Sequence, residues 1–108
     1  MHELSIATAI VEACVERAAG SRILRVRVEV GCLAAVLPDS LRFCFELCAK
    51  GTLAEGATLE ILETPGRAVC DACGETIMLA SPSGRCACGG RLRIVAGDEL
   101  RMKDMEIA

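Results

Sequence analysis

The chain has 108 residues, a net charge of -3, 53% apolar residues and only 2% aromatic ones. Such a length holds one domain, or one domain with a small appendage, around an aliphatic core. The acidic balance, with no clustered basic face, argues against nucleic-acid binding, and no apolar run reaches the ~18 residues that suggest a membrane span.

The start, Met1-His2-Glu3, lacks the basic and apolar regions of a secretory signal, so a cytoplasmic location is expected. In that reducing compartment eight cysteines read as metal ligands and core residues rather than disulfides. Ser5 is a plausible N-cap. Ile6, Ile10, Cys14 and Ala18 recur at helical spacing until Gly20, which predicts a helix over 5–19. Leu24, Val26, Val28 and Val30 then alternate with Arg25, Arg27 and Glu29, the pattern of a strand with one buried face. Pro38-Asp39-Ser40 opens a second helix that ends at Gly51, and Leu41, Cys44, Phe45 and Cys48 form its apolar stripe. In the next strand Leu59 and Ile61 point one way, and Thr58, Glu60 and Leu62 the other.

At Thr64-Pro65-Gly66 the composition changes. The paired cysteines follow, amid Gly, Ser and Pro. The final strand, 99–107, changes phase between Met102 and Met105, which predicts a bulge near Lys103–Asp104. The expected fold is α+β: a three-stranded sheet with two helices on one face, and a small zinc-ribbon-like module inserted before the last strand. The expected divisions are 1–64, the zinc-binding module 65–97, and 98–108, which returns to the first part.

Cys70-Asp-Ala-Cys73 and Cys86-Ala-Cys88 stand twelve residues apart. Two short pairs across such a loop can close a tetrahedral cage of four sulfurs, which suits zinc or iron. Iron electron carriers of this kind surround the metal with aromatic residues, and this segment has none, so zinc is the expected ion. Four thiolates fill its coordination shell, which makes the site structural rather than hydrolytic. Zinc binding of this type contributes an apparent ~10–16 kcal/mol to folding.

The single histidine is residue 2. The Met1 amine, the His2 amide nitrogen and the His2 imidazole can chelate one ion in a plane, with a fourth donor from Glu3, through its amide nitrogen or its carboxylate. Square-planar nitrogen sets select Ni(II) or Cu(II). Cys14, Cys44 and Cys48 read as buried apolar residues, the last two with metal binding as the alternative. Arg85, Arg91 and Arg93 read as solvated, with a docking patch as the alternative. There is no nucleophile–base pair, phosphate loop or dinucleotide loop, so no enzymatic activity is expected.

Taken together, Met1-His2-Glu3-Leu4-Ser5, Glu29-Val30-Gly31, Leu41-Arg42-Phe43-Cys44-Phe45, Gly56-Ala57-Thr58-Leu59-Glu60-Ile61, the cysteine pairs and the stretch from Leu92 to Leu100 resemble the HypA/HybF family of hydrogenase nickel-insertion proteins. The resemblance covers the whole chain. It implies a nickel metallochaperone that carries Ni(II) as cargo on Met1, His2 and Glu3, with structural zinc on Cys70, Cys73, Cys86 and Cys88. It also implies a partner GTPase and delivery to the large subunit of [NiFe]-hydrogenase; in some bacteria such proteins also serve urease. The chain departs from the family in its second pair, which has only Ala87 where two residues are usual. The competing reading is a zinc-ribbon assembly adaptor with no transferable metal.

Overall fold

A computed structural model describes residues 2–108. The fold is α+β. Its elements in chain order are α1 (Glu3–Ala18), β1 (Ile23–Gly31), α2 (Pro38–Ala49), β2 (Thr58–Thr64), β3 (Gly66–Cys70), β4 (Thr76–Leu79), β5 (Leu92–Ala96) and β6 (Leu100–Ile107). They form two three-stranded sheets, with orders β2-β1-β6 and β4-β3-β5. Among the described residues no helix is long and apolar enough to cross a membrane. The chain divides into two compact units, one made of 1–28, 36–62 and 102–108, the other of 29–35 and 63–101.

In the first unit α1 and α2 pack on each other. Helix α1 buries Ala7, Val11, Cys14 and Ala18, a 3- and 4-residue spacing that keeps them on one face. Ile6 and Ile10, expected on that face, are only half-buried, because the smaller Ala7 and Val11 occupy its centre. The start also differs from expectation. Ser5 lies inside the helix, where its hydroxyl donates to the His2 carbonyl at 3.0 Å, and His2 is the N-cap. Helix α2 buries Leu41, Phe45 and Ala49, with Pro38 in its first turn. Cys44 and Cys48 are half-buried beside that stripe.

Strand β1 buries Val26, Val28 and Val30 as the alternation predicts, but Ile23 is buried and Leu24 is exposed. The chain enters the strand with the Ile23 N–H bonded to the Leu53 carbonyl, and the regular alternation begins only at Val26. Cys14 is fully buried, with its sulfur 3.2 Å from that of Met102 on β6. Burial raises its thiol pKa. Met102 and Met105 are both half-buried though three residues apart, so β6 changes phase between them.

The second unit has its own small core of Leu33, Ala68 and Leu79, with Ile77 and Leu92 packed against it. Central strand β3 pairs antiparallel with β4, from Gly66↔Leu79 to Val69↔Thr76, and with β5, from Arg67↔Ala96 to Cys70↔Leu92. The β5 register slips between Arg67 and Ala68. Where Gly31, Gly66 and Gly97 meet, backbone packs on backbone: a β-carbon on Gly31 would overlap the Gly97 carbonyl, and one on Gly97 would overlap the Gly66 Cα. The Glu99 carboxylate accepts the Thr64 hydroxyl at 2.7 Å and the Gly97 N–H at 2.9 Å beside this crossing.

Candidate metal centre

Cys70 ends β3, and the chain turns immediately after it. The Gly74 N–H donates to the Cys70 carbonyl at 2.9 Å, closing the first knuckle around Cys70 and Cys73. The second knuckle closes with the Gly89 N–H on the Cys86 carbonyl at 3.0 Å. The Asp71 N–H donates to the Arg91 carbonyl at 2.9 Å, which fixes one knuckle against the chain leaving the other.

These turns bring four sulfurs together, all within 4.8 Å of one another. Cys70 and Cys88 are 3.5 Å apart, and Cys73 and Cys86 are 3.6 Å apart. None is joined in a disulfide. A zinc ion with bonds of ~2.3 Å requires a tetrahedron with edges of about 3.8 Å, so the cage fits the ion. Cys70 and Cys86 are buried, whereas Cys73 and Cys88 face solvent. Among the described residues this is the only group of three or more such donors. The one-residue spacing of Cys86-Ala87-Cys88 thus still turns both sulfurs into the cage.

The electrostatics also suit a cation. Cys70 is lowered to about 7, first by the Cys73 N–H and then by the Ala72 N–H and the Cys88 and Cys73 sulfurs, against desolvation. Cys86 accepts the Cys88 N–H, which favours its thiolate. The Cys88 sulfur, burial and the remaining thiols outweigh that bond and push it up to about 12. Cys73 is likewise raised, its bonds from the Glu75 N–H and the Cys86 sulfur outweighed by the Cys70 and Cys88 sulfurs and desolvation. Cys70 ionises more readily than an ordinary thiol, and the raised thiols of Cys73 and Cys86 give up their protons when a positive ion sits between the sulfurs.

Gly90 completes the cage in a way the spacing alone does not show. Its N–H donates to the Cys88 sulfur at 3.3 Å, and a β-carbon at this position would collide with two of the sulfurs. Gly89-Gly90 was the sequence signal for this approach. Arg93 pairs with Asp71 at 3.5 Å, while Arg85 and Arg91 are exposed.

At the other end of the chain, Met1 lies outside the described residues, and its amine with it. His2 is exposed and makes no side-chain capping bond. Its carbonyl accepts the Ile6 N–H at 3.0 Å. Glu3, its neighbour, turns inward and is 7% exposed. Its carboxylate accepts the Leu37 N–H at 3.1 Å. It is lowered to about 2, with the positive amino terminus the largest cause and the Leu37 N–H next. Leu37 went unnoticed in the sequence because a leucine before a proline carries no sign of an acceptor supplied from elsewhere. Cys48 is in contact with the Thr8 hydroxyl at 3.4 Å, between the two helices.

The family model described as hydrogenase/urease nickel incorporation, metallochaperone, HypA, matches residues 1–107. The hydrogenase maturation factor HypA of Nostoc punctiforme is 48% identical over 108 residues, 99% of this chain and 96% of its own. That of Geobacter metallireducens is 45% identical over 109 residues, 99% of each chain. The solution structure of the Ni metallochaperone HypA from Helicobacter pylori shares the fold, with a TM-score of 0.68 over 99% of this chain and 97% of that one, at 24% identity. With a full-length family match and relatives close to half identical, the chain belongs to the HypA family of hydrogenase/urease nickel-incorporation metallochaperones.

Proposed function

We propose that this protein binds Ni(II) as cargo at Met1, His2 and Glu3 and delivers it during [NiFe]-hydrogenase maturation, while Cys70, Cys73, Cys86 and Cys88 hold a structural zinc. The observation that carries the reading is the contrast between two kinds of donor set. Four cysteine sulfurs close a compact cage in the second unit. The only histidine is exposed at residue 2, and its side chain makes no capping bond.

The closed cage suits an ion that stays. Four sulfurs satisfy zinc and leave no position for substrate or water. An exposed imidazole beside backbone nitrogens suits an ion that leaves, since a partner can add its own ligands before the first donors let go. On this reading the first unit handles nickel and the second is held together by zinc. A GTPase of the maturation pathway and the hydrogenase large subunit are the proposed partners, in the cytoplasm; urease is a second recipient to be tested. The family membership supports this reading, as do its relatives, which are hydrogenase maturation factors.

The test is a nickel titration of zinc-loaded protein with a free amino terminus, beside His2→Ala. Saturable uptake of one nickel that His2→Ala abolishes, with the fold and zinc content retained, is the expected result. The same isotherm in both proteins would favour the assembly adaptor.

A further inference from the structure

Among the described residues Glu3 is the one polar or charged side chain that is buried, although His2, Leu4 and Ser5 around it are all exposed. A carboxylate in the first turn of a helix ordinarily stays in water. When it is withdrawn from water, hydrogen bonds must compensate. Glu3 finds one such bond on the other helix, 34 residues away, where Oε2 accepts the Leu37 N–H at 3.1 Å.

Leu37 is the N-cap of α2 and offers no side-chain capping bond, and Pro38 follows it in the first turn. A leucine has no acceptor with which to cap a helix, and a proline has no N–H to offer. The N-terminal end of α2 therefore lacks a local cap and takes one from Glu3. The negative charge also suits the positive end of the α2 dipole. At the same time the backbone just before Glu3 is fixed, because the His2 carbonyl accepts both the Ile6 N–H and the Ser5 hydroxyl at 3.0 Å.

We infer that Glu3 serves the nickel terminus as a positioning residue: its carboxylate, anchored on the Leu37 N–H, ties the His2 chelate to the first turn of α2 and is not itself a nickel ligand. The inference rests on the nickel reading above. The Glu3 carboxylate is held by the Leu37 N–H, with the amino terminus also acting on it, while the His2 side chain is exposed, so adjacent residues divide the work. One anchors the segment and the other meets the ion. Ordering the donors before metal arrives reduces the entropy lost on binding.

Three variants separate an anchor from a ligand. Glu3→Ala removes both possibilities. Glu3→Gln keeps an oxygen that can accept the Leu37 N–H but is a poor nickel donor. Leu37→Pro deletes the N–H, together with an exposed side chain, and leaves the carboxylate intact. Leu37 has φ -86° and ψ 115°, close to what proline adopts and what the following Pro38 requires.

The anchor role predicts that Glu3→Ala and Leu37→Pro each weaken nickel binding about 10- to 100-fold, as loss of an outer-shell partner does, and that the double variant is no worse than either. Glu3→Gln stays within a few-fold of the parent. Zinc content and melting temperature, measured alongside, separate this from a general loss of fold. A Leu37→Pro protein that binds nickel normally, or a Glu3→Gln protein as weak as Glu3→Ala, would overturn the inference in favour of a carboxylate ligand. Amide exchange at Leu37 in nickel-free protein tests the anchor apart from nickel and without Leu37→Pro. Faster exchange in Glu3→Ala supports it, and unchanged exchange refutes it. If the parent protein takes up no nickel, the nickel reading itself fails, and the exchange result still decides whether the bond exists.

Discussion

Gly90 stands so close to Cys70 that a β-carbon on it would lie 2.5 Å from the Cys70 sulfur and 3.1 Å from that of Cys88. Both atoms belong to the cage, and neither can retreat without opening it. Gly90→Ala should therefore weaken zinc binding on the order of tenfold or more, read by competition with a chromophoric chelator. Gly74→Ala is the control, since a β-carbon there meets nothing within 4 Å. That substitution strains only a left-handed turn and should leave zinc affinity closer to the parent value. Equal affinities for Gly90→Ala and the parent would show that the cage does not need this approach.

Zinc uptake should expel protons. At pH 8 the thiols of Cys73 and Cys86, both raised above the ordinary value, still hold theirs, whereas Cys70, at about 7, has mostly lost its own. Zinc affinity must then rise with pH and fall on acidification. Calorimetry in buffers of different ionisation enthalpy measures the protons released. Release of fewer than about two per zinc at pH 8 would contradict these thiol states.

Adding residues ahead of Met1 converts the terminal amine into a peptide bond. On the proposed nickel reading, an N-terminally extended form should bind Ni(II) more than about tenfold more weakly than the free form, with zinc content unchanged. Equal isotherms would remove the amine from the ligand set.

Leu41 is fully buried on the inner face of α2. Leu41→Ala should cost about 2–5 kcal/mol, measured by urea unfolding of zinc-loaded protein. Leu47, at 50% exposure on the same helix, should tolerate alanine with much less effect. Similar losses at both positions would contradict this account of the helix face.

The Arg27 Nε donates to Asp104 Oδ1 at 2.8 Å between β1 and β6, and this bond is the chief cause of the lowered Asp104 carboxyl pKa. A lowered folded-state pKa means that the contribution is complete above the unfolded carboxyl range, ~3.9, and disappears as pH falls through the folded value. Arg27→Met should be less stable than the parent at pH 7, and the gap should close toward pH 2. Both side chains are partly exposed, so salt should narrow the gap at pH 7 as well.

Much of this was legible in the residues because it depended on local spacing. Cys70, Cys73, Cys86 and Cys88 announced the cage, since short pairs can reach one point only through tight turns. Leu41 and Phe45 announced the buried face of α2, and Val26, Val28 and Val30 that of β1. What escaped depended on distant partners. Nothing near Glu3 foretells that its carboxylate reaches the Leu37 N–H, 34 residues away. Ser5 was the better local N-cap, yet the helix begins earlier, with Ser5 bonded back to His2. The second sheet was hidden because β4 has four residues and β5 five, too short for alternation to stand out among glycines and prolines.

Gly31 comes from one stretch of the second unit, Gly66 and Gly97 from the other, and they meet with backbone against backbone. Such a crossing admits no gradual adjustment, because the smallest possible enlargement at Gly31 or Gly97 already collides with main chain. A library randomised at all three positions should return glycine almost alone. Any transplant of the four-cysteine segment into another scaffold would have to carry this bare junction along with it.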